Sequence, residues 1–301
     1  MINLKKFWQF VSRQTYPAQE MPFANPKTLE KASRFDERFR EIIADPVNLL
    51  INRVPEAGFV DAEGMVVLHN GNRVPLHGPT SYYGNFSDIL IINRGVHEPL
   101  EEYCFQEVLA TLRGQSPVML ELGSYWAHYS MWFKKLFPHS VCHMVESDEV
   151  NLQSGRENFK TNGFKGEFHK GLIGRNGLQV DNFIREQKLE RVDILHVDIQ
   201  GFEGEMLEGA KATLAEHRVA RIFISTHSEN LHQLVASSLR SFGYRIEVSS
   251  PFDNHTTSCD GFILASAPNE KPLFDEWNPL GRIEILHSSP KQLLSSITLK
   301  L

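Results

Sequence analysis

Between residues 117 and 267 the chain alternates two patterns. Short runs rich in apolar residues fall at 118–122, 141–146, 192–197, 219–225, 244–248 and 262–265, and 166–170 also reads as a strand. Segments with apolar positions three and four apart fall between them, at 130–137, 148–162, 203–216 and 231–242. Continuous apolar runs read as strands buried on both faces, and the 3.6-residue spacing reads as amphipathic helices. Pro138 closes the first of these helices, and Asn162-Gly163 stops the second. Repeated strand-helix units predict a parallel sheet covered by helices on both faces. The last two strands follow one another without a helix, so an antiparallel hairpin-like edge is expected there.

The flanks differ. Leu4, Phe7, Trp8 and Val11 have helical spacing, and so do Leu29, Ala32, Phe35, Phe39, Ile42 and Ile43. The second of these helices should stop before Asp45-Pro46, because a residue preceding proline avoids the helical region. Residues 56–95 read as short strands and turns, with Asn70-Gly71 as a hairpin signal. A helix over 100–112 follows. Residues 268–301 carry four prolines and read as a wrapping tail, with Ile283 and Ile285 as a candidate edge strand. The expected divisions are therefore 1–116 as a helical and β-hairpin extension with a lid role, 117–267 as the Rossmann-like domain, and 268–301 as the tail.

Composition adds limits. A 301-residue chain with 41% apolar and 23% charged residues can build an ordinary core. The net charge of −6 gives no basic excess, so nucleic acid is not the expected partner. Cys104, Cys142 and Cys259 are isolated and odd in number, which disfavours a disulfide framework or a structural zinc site. With no apolar run of membrane-spanning length, the expectation is a cytoplasmic chain without a membrane partner, compatible with a homodimer.

Four segments carry candidate chemistry. Glu121-Leu122-Gly123-Ser124-Tyr125-Trp126-Ala127-His128-Tyr129-Ser130 follows the first strand and opens a helix. A glycine here lets the backbone approach a ligand, and the helix start offers free N–H groups. These could receive the carboxylate of S-adenosylmethionine, and they mark Glu121, Gly123, Ser124, Tyr125 and Ser130 as cofactor-binding candidates. His128 reads as a cap of that helix. Glu146 ends the next strand, where an acid can accept both ribose hydroxyls of a nucleoside, with Ser147 beside it. Leu172 and Ile173, after the third strand, are placed to flank an adenine. The run 192–197 then leads directly into Asp198, Gln200 and Gly201. In an open α/β sheet, ligands sit beyond the carboxyl ends of the strands.

The strand 219–225 delivers His227 to the same edge. Methylation of a hydroxyl needs the oxygen to lose a proton as it attacks, and histidine titrates near neutrality. His227 is the expected base, with Asp198 orienting it or the substrate. Asp198 and His227 could instead share a divalent ion, but no diagnostic spacing favours this. Tyr82, Tyr83, Gln200 and His232 are candidate substrate contacts. For His232, a solvent-facing surface position competes with that role, and His196 reads as a satisfied core residue.

The segment Asp198-Ile199-Gln200-Gly201 with Glu203, followed by Glu205-Met206-Leu207-Glu208-Gly209-Ala210, resembles the FkbM-type methyltransferases. The family's glycine motif, Asp-x-Gly-Ala-Asn-x-Gly-x-x-Ser, is matched at Gly123 and Ser130, with Glu121 for the aspartate. Tyr125 stands for the asparagine and Ala127 for the second glycine. The resemblance implies a class I methyltransferase sheet, mostly parallel with an antiparallel last strand, and S-adenosylmethionine as cofactor. It also implies O-methylation of a small molecule or carbohydrate. A nicotinamide-dependent oxidoreductase competes with it, weakened by the missing G-x-G-x-x-G, as does a non-catalytic protein that keeps the fold.

Overall fold

In a computed structural model the described residues are 36–82, 84–274 and 277–298. The expected helix around Leu4 to Val11, the first half of the stripe (Leu29, Ala32 and Phe35), and Tyr83 lie outside them. Residues 37–301 form one compact unit.

The unit opens with helix α1 (Asp36–Ala44), which ends immediately before Asp45-Pro46. Strands β1 (Met65–Val67) and β2 (Arg73–Pro75) pair antiparallel around the Asn70-Gly71 turn. Helix α2 (Pro99–Thr111) follows, with proline in its first turn.

Seven strands then form the central sheet: β3 (Val118–Leu122), β4 (Val141–Glu146), β5 (Glu167–Lys170), β6 (Val192–Val197), β7 (Val219–Thr226), β8 (Arg245–Ser250) and β9 (Gly261–Ser266). Their spatial order is β5-β4-β3-β6-β7-β9-β8. The first five strands pair in parallel, whereas β9 is antiparallel to both β7 and β8. The expected antiparallel ending is present, with β9 inserted between β7 and β8.

All six residues of β6 and all eight of β7 are buried, as expected of strands this rich in apolar residues at the centre of a covered sheet. Helices α3 (His128–Leu136), α4 (Glu149–Thr161), α5 (Val180–Glu186) and α8 (Glu229–Ser241) connect the strands. The helix expected over 203–216 is two pieces, α6 (Glu203–Glu208) and α7 (Lys211–Ala215), interrupted at Gly209-Ala210. Helix propagation breaks there because Asp181 accepts from the N–H groups of Ala212 and Thr213 and so starts a new turn.

The tail departs from expectation. Ile283 and Ile285 lie in helix α9 (Arg282–His287), not in a strand, and α10 (Pro290–Thr298) follows. The edge of β8 is extended instead by Trp277, whose N–H donates to Glu247 O at 2.9 Å and whose carbonyl accepts from Ser249 N at 3.2 Å. Among the described residues no helix is long and apolar enough to cross a membrane.

Candidate active site

The chain order reverses between β3 and β6, and a crevice opens there, beyond the carboxyl ends of the strands. Its volume is about 420 Å³, within the range of small-ligand sites, and its walls include Gly123, Tyr125, Glu146, Leu172, Asp198 and Gln200.

Backbone geometry builds this crevice. Gly123 N–H and Ser124 N–H both donate to Val145 O, at 2.9 and 3.1 Å, and Asp198 N–H donates to Leu122 O at 2.9 Å. The turn after β3 is therefore tied to the ends of both β4 and β6. Gly123 has φ of 78°. Tyr125 (φ 43°) and Ala127 (φ 65°), the two departures from the family motif, are also left-handed. The asparagine and glycine of the motif are the residues that tolerate this region best.

Glu146 is buried and holds the turn from the other side. Its Oε2 accepts from Tyr125 N–H at 2.9 Å, and its Oε1 accepts from Asp148 N–H at 2.8 Å. Oε1 also accepts from the Ser147 hydroxyl at 3.4 Å, so Oε2 is the oxygen that retains capacity for one more donor. Ser147 lines the crevice beside it. Leu172 is 53% exposed, and Phe202 is 37% exposed across the same crevice. Together they supply an apolar wall, of which Phe202 was not anticipated.

Three expected cofactor contacts do not reach the crevice. Glu121 is buried, accepts from the Ser130 hydroxyl, and sits 3.8 Å from His196 Nδ1. The strand's alternation turns Glu121 away from the crevice, and Ser130 follows it. Ser124 is buried outside the crevice walls, with its hydroxyl unpaired.

The substrate contacts also change. Tyr82 is buried among Phe86, His97 and Trp126, so it is a packed wall and not a lid. His232 is neither on the surface nor directed at a ligand. Its Nδ1 is 3.0 Å from the Thr226 hydroxyl and its Nε2 is 3.0 Å from that of Ser249. Gln200 does line the crevice, and its amide donates to Asp198 Oδ1 at 2.9 Å.

His227 lies in a nest of carboxylates. Its Nδ1 donates to Glu203 Oε1 at 2.7 Å, while Nε2 is 3.3 Å from Asp198 Oδ1 and 3.7 Å from Asp260 Oδ1. Burial opposes a charge on the ring, but the hydrogen bond to Glu203 and the neighbouring Asp198 and Asp260 carboxylates overcome it, pushing its pKa up to about 10. At neutral pH it is an imidazolium. An imidazolium accepts no proton, which argues against His227 as the expected base.

The proton acceptor with the suitable pKa is Asp260, in an Asp260-Gly261 step before β9 that in the sequence reads as a tight turn or as a shaper of the acceptor pocket. Burial, then the neighbouring Asp198 carboxylate, push it up to about 7. Glu98 is likewise raised to about 7, chiefly by burial. Glu101 hydrogen-bonds the buried His196 Nε2 at 2.6 Å and accepts from the Ser225 hydroxyl at 3.0 Å, so His196 sits in the core as expected, with its Nδ1 3.8 Å from Glu121. Glu98 and Glu101 sit on or beside a helix outside the alternating region, where nothing in the sequence marks them.

Residues 119–246 match the family model described as the methyltransferase FkbM domain. No curated protein matches the chain. Among solved structures, the chain is similar to a precorrin-6y C5,15-methyltransferase from Geobacter metallireducens, with 16% identity over 55% of this chain and 86% of that one and a TM-score of 0.40. TrmK of M. capricolum, in complex with S-adenosyl-homocysteine, gives 15% identity over 66% and 82% with a TM-score of 0.39. The N-terminal domain of human METTL16, also with that product, gives 11% identity over 57% and 71% with a TM-score of 0.42. The family match and the strand order, with the antiparallel β9 between β7 and β8, define a Rossmann-like class I methyltransferase sheet. They support an S-adenosylmethionine-dependent methyltransferase.

Proposed function

We propose that this chain holds S-adenosylmethionine in the crevice between β3 and β6 and directs methyl transfer to a hydroxyl of a small molecule or sugar beside Asp198 and Asp260. The observation that carries the reading is the tie between Gly123, Glu146 and Asp198 around one crevice. The residues fit the group. Gly123 gives close backbone approach, Glu146 offers an acceptor for a ribose hydroxyl, and Leu172 with Phe202 offers faces for an adenine.

When bound, the cofactor supplies an electrophilic methyl group on a sulfonium. The protein's share is placement and proton handling. Asp198 and Gln200 stand at the inner end of the crevice and orient the acceptor. Asp260 takes the hydroxyl proton as the oxygen bonds to the methyl carbon and the carbon–sulfur bond breaks. His227, held cationic, fixes Asp198 and Asp260 and balances their charge. Alignment of oxygen, carbon and sulfur supplies much of the acceleration, and proton removal a further factor.

A second reading, an amine acceptor, is favoured by the surplus of carboxylates at Asp198, Asp260 and Glu98, which would attract a cation.

Calorimetric titration tests the cofactor. S-adenosylhomocysteine should bind with micromolar affinity and NAD should not. Binding of NAD alone would return the chain to the oxidoreductases, and binding of neither would make it a non-catalytic relative. Incubation with methyl-labelled cofactor and a panel of sugars, phenols and amines then assigns the acceptor. Label only on nitrogen would replace the hydroxyl by the amine.

A further inference from the structure

Away from the crevice, a second group of ionisable side chains converges in the interior. His69 follows β1, Glu102 lies in the first turns of α2, and His128 is the first residue of α3. One ligand atom from each lies within 4.8 Å of the other two, and all three residues are buried.

Their hydrogen bonding does not account for them. His69 Nε2 is 2.8 Å from Glu102 Oε2, yet neither atom makes an aligned hydrogen bond. Both ring nitrogens of His69 and both of His128 lack partners. His128 does not cap its helix, because Ala127 occupies the cap position and makes no side-chain bond there. Each unpaired buried polar atom costs about 1–3 kcal/mol, and one ligand atom from each of the three residues can share a single partner.

The surroundings present these atoms inward. Glu102 Oε1 is fixed by the N–H groups of His97 at 2.8 Å and Glu98 at 3.0 Å, leaving Oε2 directed at His69. His97 also places Nδ1 2.7 Å from Oε1. A ligating carboxylate held in this way through its second oxygen is the usual outer support of a metal site. Trp132 meets His69 edge-on at 4.4 Å, and Trp126 stacks on His128 at 5.3 Å, so the rings are locked and dry.

We propose that His69 Nε2, Glu102 Oε2 and a ring nitrogen of His128 bind one divalent ion of the zinc class. Two imidazoles and a carboxylate select zinc or its first-row neighbours over magnesium or calcium. The ion joins the β1–β2 segment, α2 and the start of α3, so it braces the helix that follows the Gly123 turn. The site is independent of the acceptor reading, because no residue of the crevice belongs to it.

The test uses the full chain expressed with zinc and purified without chelator. Metal analysis should find about one zinc ion per chain, and exchange for cobalt should give visible d–d absorption of a nitrogen- and oxygen-ligated ion. His69→Gln and His128→Gln should each reduce bound metal more than tenfold while circular dichroism confirms their fold. Wild-type protein that takes up neither zinc nor cobalt overturns the proposal, and so do folded variants that keep full metal content. Should the variants not fold, anomalous scattering from wild-type crystals at the zinc edge decides. A peak between His69, Glu102 and His128 upholds the site, and a peak elsewhere or none refutes it.

Discussion

A Cβ placed on Gly123 would stand 1.7 Å from the carbonyl oxygen of Asp198. The turn after β3 and the end of β6 therefore meet backbone to backbone, with no side chain between them. This contact brings the turn and the Asp198 edge to one crevice.

Gly123→Ala is accordingly expected to disrupt the turn itself. The left-handed φ and the overlap with Asp198 together should cost about 3 kcal/mol or more. Urea denaturation should register that loss, and calorimetry should find no binding of S-adenosylhomocysteine. A variant with wild-type stability and binding would show that the two segments are free to separate.

Ala127 offers a sharper test of backbone strain, because two substitutions should behave differently. Ala127→Gly relieves about 1 kcal/mol of left-handed strain but loses a buried methyl worth about 0.8 kcal/mol. The terms nearly cancel, and its denaturation midpoint should stay close to wild type. Ala127→Val puts a β-branched residue at φ 65° in a fully buried position, and about 2 kcal/mol or more of stability should be lost. Equal effects of glycine and valine would mean that the conformation at residue 127 is not what limits the site.

The sheet was legible because its strands are apolar on both faces. Runs such as 192–197 and 219–225 cannot be placed anywhere but in a covered parallel sheet. Gly123, Glu146 and Asp198 were legible as well, since strand ends in such a sheet point at one edge. Glu121 and Ser130 misled because a motif names residue types and not the face on which a side chain emerges. Asp260 was legible only as a turn or pocket-shaping residue and Glu98 not at all, because their raised pKa values come from burial and from charges distant in the chain. The charge state of His227 depends on Glu203, Asp198 and Asp260. They stand up to 33 positions away in the chain, in two different segments. Periodicity carries no information about such encounters.

Stability should fall as pH rises, in two windows. Asp260 is raised from an ordinary carboxyl to about 7, so the stability tied to its protonated form is present below about 4 and lost by about 7. His227 is raised to about 10, so its contribution is intact below about 6.5 and lost as pH climbs through 10. Chemical denaturation of wild type at intervals between pH 5 and 10 should show this decline, a few kcal/mol in total. His227→Gln should flatten the alkaline window and move the Asp260 window to higher pH. A wild-type profile that is flat above neutrality would contradict the imidazolium assignment.

Turnover separates the roles of Asp260 and His227. Asp260 can accept a proton only when ionised, so kcat should rise with pH through about 7. Asp260→Asn should remove that limb and lower kcat about 100-fold, with affinity for S-adenosylhomocysteine unchanged because Asp260 does not line the crevice. The positive ring of His227 lowers the Asp260 pKa. His227→Gln should therefore keep the limb but move it to higher pH, so that activity lost at neutrality partly returns in alkaline buffer. Were His227 the base, its removal would abolish the limb, and the asparagine variant at position 260 would retain it. The two profiles thus distinguish a proton acceptor from the cation that holds it in place.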